Sequence, residues 1–230
     1  MGTLTPVTHI IFDLDGLLID SETLYRKSYT ALLEKYGKVY TEEIRFKVMG
    51  STEQDFCRIL VEELKLPMSA EEFEKVSTDW VLKDLKDVEL KPGAERLVRY
   101  FHKNSVPMAV ATSSGRATCE VKMERYPELT SCFNHVVMGS SDNEVVNGKP
   151  APDIFFVAAK RFSDNPSPNK CLVFEDSYNG VLAAKAAGMQ VVMVPDALVS
   201  QEKQKEATIV YKSLEDFVPE IFGLPPFDST

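Results

Sequence analysis

Mainly apolar runs of four to six residues alternate along the chain with longer stretches whose apolar residues recur at helical spacing. The runs are Val7 to Phe12, Pro107 to Ala111, His135 to Met138, Cys171 to Phe174 and Gln190 to Val194, with a weaker sixth at Ala207 to Tyr211. Each is rich in Val, Ile, Phe or Met, which suits strands buried on both faces. Strand-sized runs separated by helical patterns predict an α/β fold, a Rossmann-like parallel sheet with crossover helices.

The spacing is uneven in one place. About 90 residues separate the first run from the second, far more than one crossover helix needs. That interval reads as helical. Ser21 to Tyr36 carries Leu24, Tyr25, Tyr29, Leu32, Leu33 and Tyr36 at helical spacing and stops at Gly37. Ser51 with Gln54 predicts a capping box before a second helix through Leu64, and Ser69 with Glu72 another before a third. Pro67 separates these two helices, and Lys91-Pro92-Gly93 returns the chain to the sheet before a helix from about Ala94 to His102. The organisation expected is a core domain, residues 1 to 18 and 90 to 230, with a small helical cap domain, residues 19 to 89, inserted after the first strand. There is no internal repeat and no low-complexity segment.

In an open parallel sheet, ligands bind outside the carboxyl ends of the strands. The residues following the apolar runs are therefore the candidates for chemistry. The first run ends in Asp13-Leu14-Asp15-Gly16, the second in Thr112-Ser113-Ser114-Gly115, and the fourth in Glu175-Asp176, followed by Ser177 and Gly180. Gly148-Lys149-Pro150 lies between the third and fourth. Four segments thus bring four carboxylates, a hydroxyl cluster and a lysine to one edge. Carboxylates packed this closely repel one another unless a cation sits among them. Oxygen donors without clustered His or Cys favour a hard ion such as Mg²⁺, with substrate phosphate completing its shell. An Asp beside such an ion can attack phosphorus, and a second carboxylate can protonate the leaving oxygen and then activate water. Thr112 and nearby backbone N–H groups would hold the phosphoryl oxygens.

Each segment alone has a plainer reading. Asp-x-Asp-Gly can be a turn, Thr112 to Ser114 a helix cap, Lys149 a solvated loop residue, and Glu175-Asp176 the cap of a helix beginning near Tyr178. Their joint occurrence at strand ends favours a site.

Composition and charge narrow the partners. The chain has 230 residues, 44% apolar and 27% charged, ordinary for a globular protein with a real core. Its 26 basic and 35 acidic residues give a net charge of -9, which argues against nucleic acid as a partner. A pocket lysine and a metal can still hold a small phosphorylated metabolite. No stretch approaches the roughly 20 apolar residues of a membrane span. Met1 to Pro6 lacks the basic start and apolar run of a secretory signal. Cys57, Cys119, Cys132 and Cys171 form no CxxC pair, and with His9, His102 and His135 they make poor zinc-site material. Free thiols and a cytoplasmic location are expected, and a monomer.

The motif residues also resemble the four motifs of the haloacid dehalogenase-like hydrolases: Asp13-Leu14-Asp15-Gly16, Thr112, Lys149 and Glu175-Asp176. The resemblance implies Asp13 as nucleophile and Asp15 as acid/base. It implies phosphate binding by Thr112, Ser113 and Lys149. Mg²⁺ would be bound by Asp13, the Asp15 backbone carbonyl and Asp176, with Glu175 supporting. A helical insert after the first motif implies a cap that closes over the site and reads the substrate. The dehalogenases of this superfamily use a lone nucleophilic Asp, so Asp15 points to phosphoryl transfer.

Within the superfamily the chain is similar to the pseudouridine-5'-phosphatase branch. The similar stretches are Asp15-Gly16-Leu17-Leu18 with Asp20, Glu22 and Leu24-Tyr25, then Val48-Met49-Gly50 and Leu66-Pro67-Met68-Ser69. Further on they are Ala111 to Gly115, Gly148-Lys149-Pro150, Cys171 to Asp176, Gly188 to Pro195 and Phe222-Gly223-Leu224-Pro225. This implies hydrolysis of pseudouridine 5'-phosphate through an aspartyl-phosphate. Ser69 to Val88 lacks a match, and Tyr178 stands where relatives carry a smaller residue or proline, so that it either narrows the pocket or faces solvent.

Other readings stay open. A phosphatase of another sugar phosphate or nucleotide would share every motif. A mutase of the beta-phosphoglucomutase type would carry a cap histidine where this chain has Tyr25, and no His lies between His9 and His102. An inactive relative that binds a protein partner would have lost a motif residue, and none is lost.

Overall fold

Alternation along the central strands sends successive side chains to opposite faces, and both faces of the sheet are covered. The protein is described here by a computed structural model over residues 4 to 48 and 51 to 227. Its strands are β1 (His9–Phe12), β2 (Met108–Thr112), β3 (His135–Met138), β4 (Cys171–Glu175), β5 (Gln190–Met193) and β6 (Ile209–Val210). Each apolar run yields a strand, shifted by a residue or two at its ends. All pairings are parallel, in the order β3-β2-β1-β4-β5-β6. One face buries Ile10, Phe12, Val110, Leu172 and Phe174, and the other buries Ile11, Ala109, Ala111, Val173 and Val191.

The helices are α1 (Ser21–Glu34), α2 (Glu42–Val48), α3 (Glu53–Leu64), α4 (Ala70–Leu85), α5 (Ala94–Lys103), α6 (Arg116–Glu124), α7 (Pro127–Thr130), α8 (Asp153–Lys160), α9 (Tyr178–Ala186) and α10 (Gln201–Gln204). Helices α8 and α9 cover the Ile11 face, and α5 lies on the Phe12 face, where Phe12, Phe101, Phe174 and Phe217 form a ring cluster. Helices α1 to α4 enclose a separate apolar cluster that includes Tyr29, Leu33, Leu60, Phe73 and Leu85. The chain leaves the sheet and returns side by side, with Asp20 N–H donating to Glu89 O at 2.8 Å and Lys91 N–H to Leu18 O at 2.9 Å.

Two local expectations need adjustment. The Ser69–Glu72 capping box forms as read. The Ser51–Gln54 box does not. Thr52 caps α3 instead, accepting from Asp55 N–H at 3.2 Å, while Ser51 Oγ turns back to donate to Val48 O at 2.6 Å. The short α2 was not expected, because seven residues, four of them charged, are too few to carry a clear apolar periodicity. Of the stretch Val48-Met49-Gly50, the last two residues lie outside those described, as do Met1 to Thr3 at the start of the chain. No helix among the described residues is long and apolar enough to cross a membrane.

Candidate active site

The strand order puts β1 in the middle. From β1 the sheet is built outward to β2 and β3 on one side, then across to β4 on the other. The crevice between β1 and β4 is a topological switch point, where open α/β sheets bind ligands. Phe12 pairs with Phe174, and Asp13 N–H donates to Phe174 O at 2.9 Å. The next residues, Asp13 and Glu175, therefore emerge beside each other from adjacent strands.

Lys149 joins them. Its Nζ lies 2.6 Å from Asp13 Oδ1 and 2.5 Å from Glu175 Oε1, and donates to Ala111 O at 3.1 Å. All three side chains are buried. Burial works to lower the Lys149 pKa, but Asp13 and Glu175 outweigh it and the ammonium is held charged. The free oxygen of Glu175, Oε2, accepts from Asp176 N–H at 3.2 Å, Ser177 N–H at 3.2 Å and Ser177 Oγ at 3.0 Å. Ser177, not Glu175 or Asp176, caps α9, through Gly180 N–H at 3.0 Å. The plainer reading of Glu175-Asp176 as a helix cap is thereby excluded. Gly180 is needed for close approach, since a Cβ there would stand 1.9 Å from the Glu175 carboxylate.

Asp13, Glu175 and Asp176 each offer an oxygen within 4.8 Å of the others. Burial, then Glu175 and Asp15, push the Asp13 pKa up to about 8 against the pull of Lys149. Burial, then Asp13 and Glu175, carry Asp176 well above the usual carboxylate range. Lys149 salt-bridges Asp13 and Glu175, leaving three carboxylates around one ammonium. An all-oxygen donor set with surplus negative charge fits a hard divalent cation, and such an ion would reverse both upward shifts.

The Asp15 carboxylate points elsewhere. Its Oδ1 accepts from Ser21 Oγ at 2.5 Å and Lys122 Nζ at 2.7 Å, and its Oδ2 from Ser114 Oγ at 2.8 Å, Lys122 Nζ at 2.9 Å and Thr112 Oγ1 at 3.1 Å. Burial acts to raise its pKa, but Lys122 and these hydroxyls hold it below the usual range. The Thr112 hydroxyl also accepts from Ser114 N–H at 3.1 Å, so in this state it orders the loop as well as Asp15. Ser113 lies on the wall of the same cavity.

Sequence reading had not singled out Lys122, Ser21 or the role of Ser114. Lys122 had a signal available. It falls on the stripe of α6 that Thr118 and Cys119 bury, and a lysine on such a stripe requires a partner.

The cavity over Asp13 is roofed by the insert, with Glu22, Tyr25, Tyr29, Arg45, Glu53 and Phe56 among its walls. Arg45 reaches from α2 to Asp196 at 2.6 Å and to Glu22 at 3.5 Å. Burial, then Asp15, push the Glu22 pKa up to about 7. Tyr178 does not line the cavity. It is half-buried, packed against the apolar cluster on the Ile11 face, with Lys203 over its ring.

Residues 10 to 194 match the family of haloacid dehalogenase-like hydrolases. The chain is 55% identical to the probable pseudouridine-5'-phosphatase of Drosophila melanogaster over 97% of both chains. It is 44% identical to (DL)-glycerol-3-phosphatase 2 of Arabidopsis thaliana over 97% of this chain and 94% of that one. Among solved structures it resembles CbbY of Rhodobacter sphaeroides in complex with phosphate, with a TM-score of 0.78, 21% identity, and 91% and 96% of the two chains covered. That last likeness speaks to the fold alone.

Proposed function

The chain belongs to the haloacid dehalogenase-like hydrolase family and is one of its phosphatases, and from this we propose that it hydrolyses pseudouridine 5'-phosphate through an aspartyl-phosphate formed on Asp13. The observation that carries the mechanism is the Lys149 ammonium clamped between Asp13 and Glu175 at the switch point of the sheet. Lys149 lowers the repulsion between a carboxylate nucleophile and a phosphate dianion. An Asp13 oxygen forms the new bond to phosphorus as the bond to the leaving oxygen breaks. Asp15, a carboxylate while Lys122 holds it, takes up a proton as the phosphate monoester binds and passes it to that oxygen. Asp15, now a carboxylate, takes a proton from the water that attacks the phosphoryl group, which releases phosphate and restores Asp13. Ser113 and the backbone of the Thr112 loop would hold the phosphoryl oxygens. Mg²⁺, held by Asp13, Asp176 and the Asp15 backbone carbonyl with Glu175 beside them, would neutralise charge building on those oxygens.

The insert, residues 19 to 89, is read as a cap that encloses the leaving group, because its helices roof the cavity and its two connections run side by side. Support for the substrate comes from the 55% identity to the Drosophila melanogaster protein. A substrate shared with the glycerol-3-phosphatase relative is the second reading, given 44% identity over nearly the whole chain.

Phosphate release with Mg²⁺, with and without EDTA, tests both. The panel holds pseudouridine 5'-phosphate, uridine 5'-phosphate, glycerol 3-phosphate, hexose phosphates and beta-glucose 1-phosphate. Preference for pseudouridine 5'-phosphate, lost in EDTA and in Asp13→Asn, is the expected result. Preference for glycerol 3-phosphate selects the second reading. Turnover by Asp13→Asn near the wild-type rate would remove Asp13 as nucleophile.

A further inference from the structure

Lys122 is a lysine with no exposed surface, on a helix that carries none of the expected motif residues. Its Nζ meets four acceptors: Asp15 Oδ1 at 2.7 Å, Asp15 Oδ2 at 2.9 Å, Ser114 Oγ at 2.7 Å and Tyr25 Oη at 3.0 Å. An ammonium has three donors, so all of them are engaged within this cluster. Lys149 is occupied at the other carboxylates. The site therefore holds two buried lysines with separate duties, one at Asp13 and one at Asp15.

We propose that Lys122 is the positioning residue for Asp15, fixing the carboxyl group that passes a proton to the leaving oxygen and then, as a carboxylate, activates water. The inference rests on the acid–base reading of Asp15 given above. Lys122 lies in a straddling position, within hydrogen-bond reach of both oxygens of one carboxylate. Ser21 and Thr112 complete the hold, one on each oxygen. Rotation of the Asp15 side chain would break the Lys122 contacts together with bonds from Ser21, Thr112 or Ser114, so the rotamer is held by a charge and the hydroxyls around it. Tyr25 ties the same ammonium to α1, the first helix of the insert. A misplaced acid or base loses rate steeply with small displacements, which gives a buried charge here a use beyond stability.

The test compares Lys122→Met, Asp15→Asn and the double variant, on the best alkyl phosphate of the panel and on p-nitrophenyl phosphate. Lys122→Met is expected to lower kcat on the alkyl phosphate about 100-fold, the scale of general acid–base catalysis, with KM nearly unchanged. The double variant should be no slower than Asp15→Asn alone, because both changes remove one function. On p-nitrophenyl phosphate the leaving group needs no proton. Lys122→Met should therefore release about one equivalent of nitrophenolate in a burst and then turn over slowly at the water-activating step.

Circular dichroism checks the fold, and Lys122→Gln, which keeps hydrogen-bond donors at that depth, repeats the test if Lys122→Met does not fold. A kcat near wild type, losses that multiply in the double variant, or a uniform loss on both substrates without a burst would each overturn the proposal. Asp15→Asn turning over at the wild-type rate would instead overturn the acid–base assignment, and this inference with it.

Discussion

Gly16 shows how tightly single residues are held at this site. Its φ is +80°, and a Cβ there would stand 2.2 Å from Asp176 Oδ2. Alanine would carry left-handed strain and displace a side chain of the carboxylate cluster. Gly16→Ala is expected to weaken Mg²⁺ binding about 10-fold or more, the cost typical of disturbing a metal's supporting residues. Gly37 supplies the control, with φ +67° and nothing within 4 Å of its Cβ position. Gly37→Ala should cost about 1 kcal/mol of stability and leave the Mg²⁺ titration unchanged. Equal Mg²⁺ affinity in Gly16→Ala and wild type would remove Asp176 from the ligand set. At this scale the sequence was legible where motifs followed the strands: Asp13 and Glu175 at strand ends and Lys149 from the loop after β3 converge as expected. It was less legible at Lys122, since a mid-helix lysine declares a partner only when its neighbours on the helix face are seen to be buried.

Among the elements, the apolar runs and the long insert could be read because burial on both faces imposes a strong pattern. The register of individual caps could not. Ser51 and Thr52 both offer a side-chain oxygen, and the choice between them is made by where α3 begins. With Thr52 as cap, the N3 position falls on Asp55, and Gln54 is left exposed. Thr52→Ala should therefore lower stability by about 1 kcal/mol, while Gln54→Ala should stay within about 0.5 kcal/mol of wild type. Urea titrations of the two variants distinguish the frames, and the reverse order would restore the Ser51–Gln54 box. Helix α2 escaped notice for a related reason. It is fixed by contacts distant in sequence, Val48 in the insert's apolar cluster and Arg45 on Asp196, and not by a pattern of its own.

For the whole molecule, the insert and the sheet meet where both are acidic. Asp13, Glu175 and Asp176 come from the sheet, and Glu22 and Glu53 from the insert, on walls of one cavity or directly beneath it. Folding raises Asp13 from an ordinary 3.8 to about 8 and Glu22 from 4.5 to about 7. Between those limits the folded protein holds protons that the unfolded chain has released, so the derivative of stability with pH is negative. The metal-free protein should thus lose this site's contribution as pH climbs from about 4 towards about 8. A divalent cation among Asp13 and Asp176 competes with the same protons and binds the folded state preferentially. The rise in Tm produced by excess Mg²⁺ should consequently be larger at about pH 8 than at about pH 5, and Asp176→Asn should erase most of the difference. Calorimetric scans at the two pH values, with Mg²⁺ and with EDTA, measure it without any substrate. A Tm that ignores Mg²⁺ at the higher pH would mean that Lys149 alone balances the cluster, and the metal would have to be withdrawn from the mechanism.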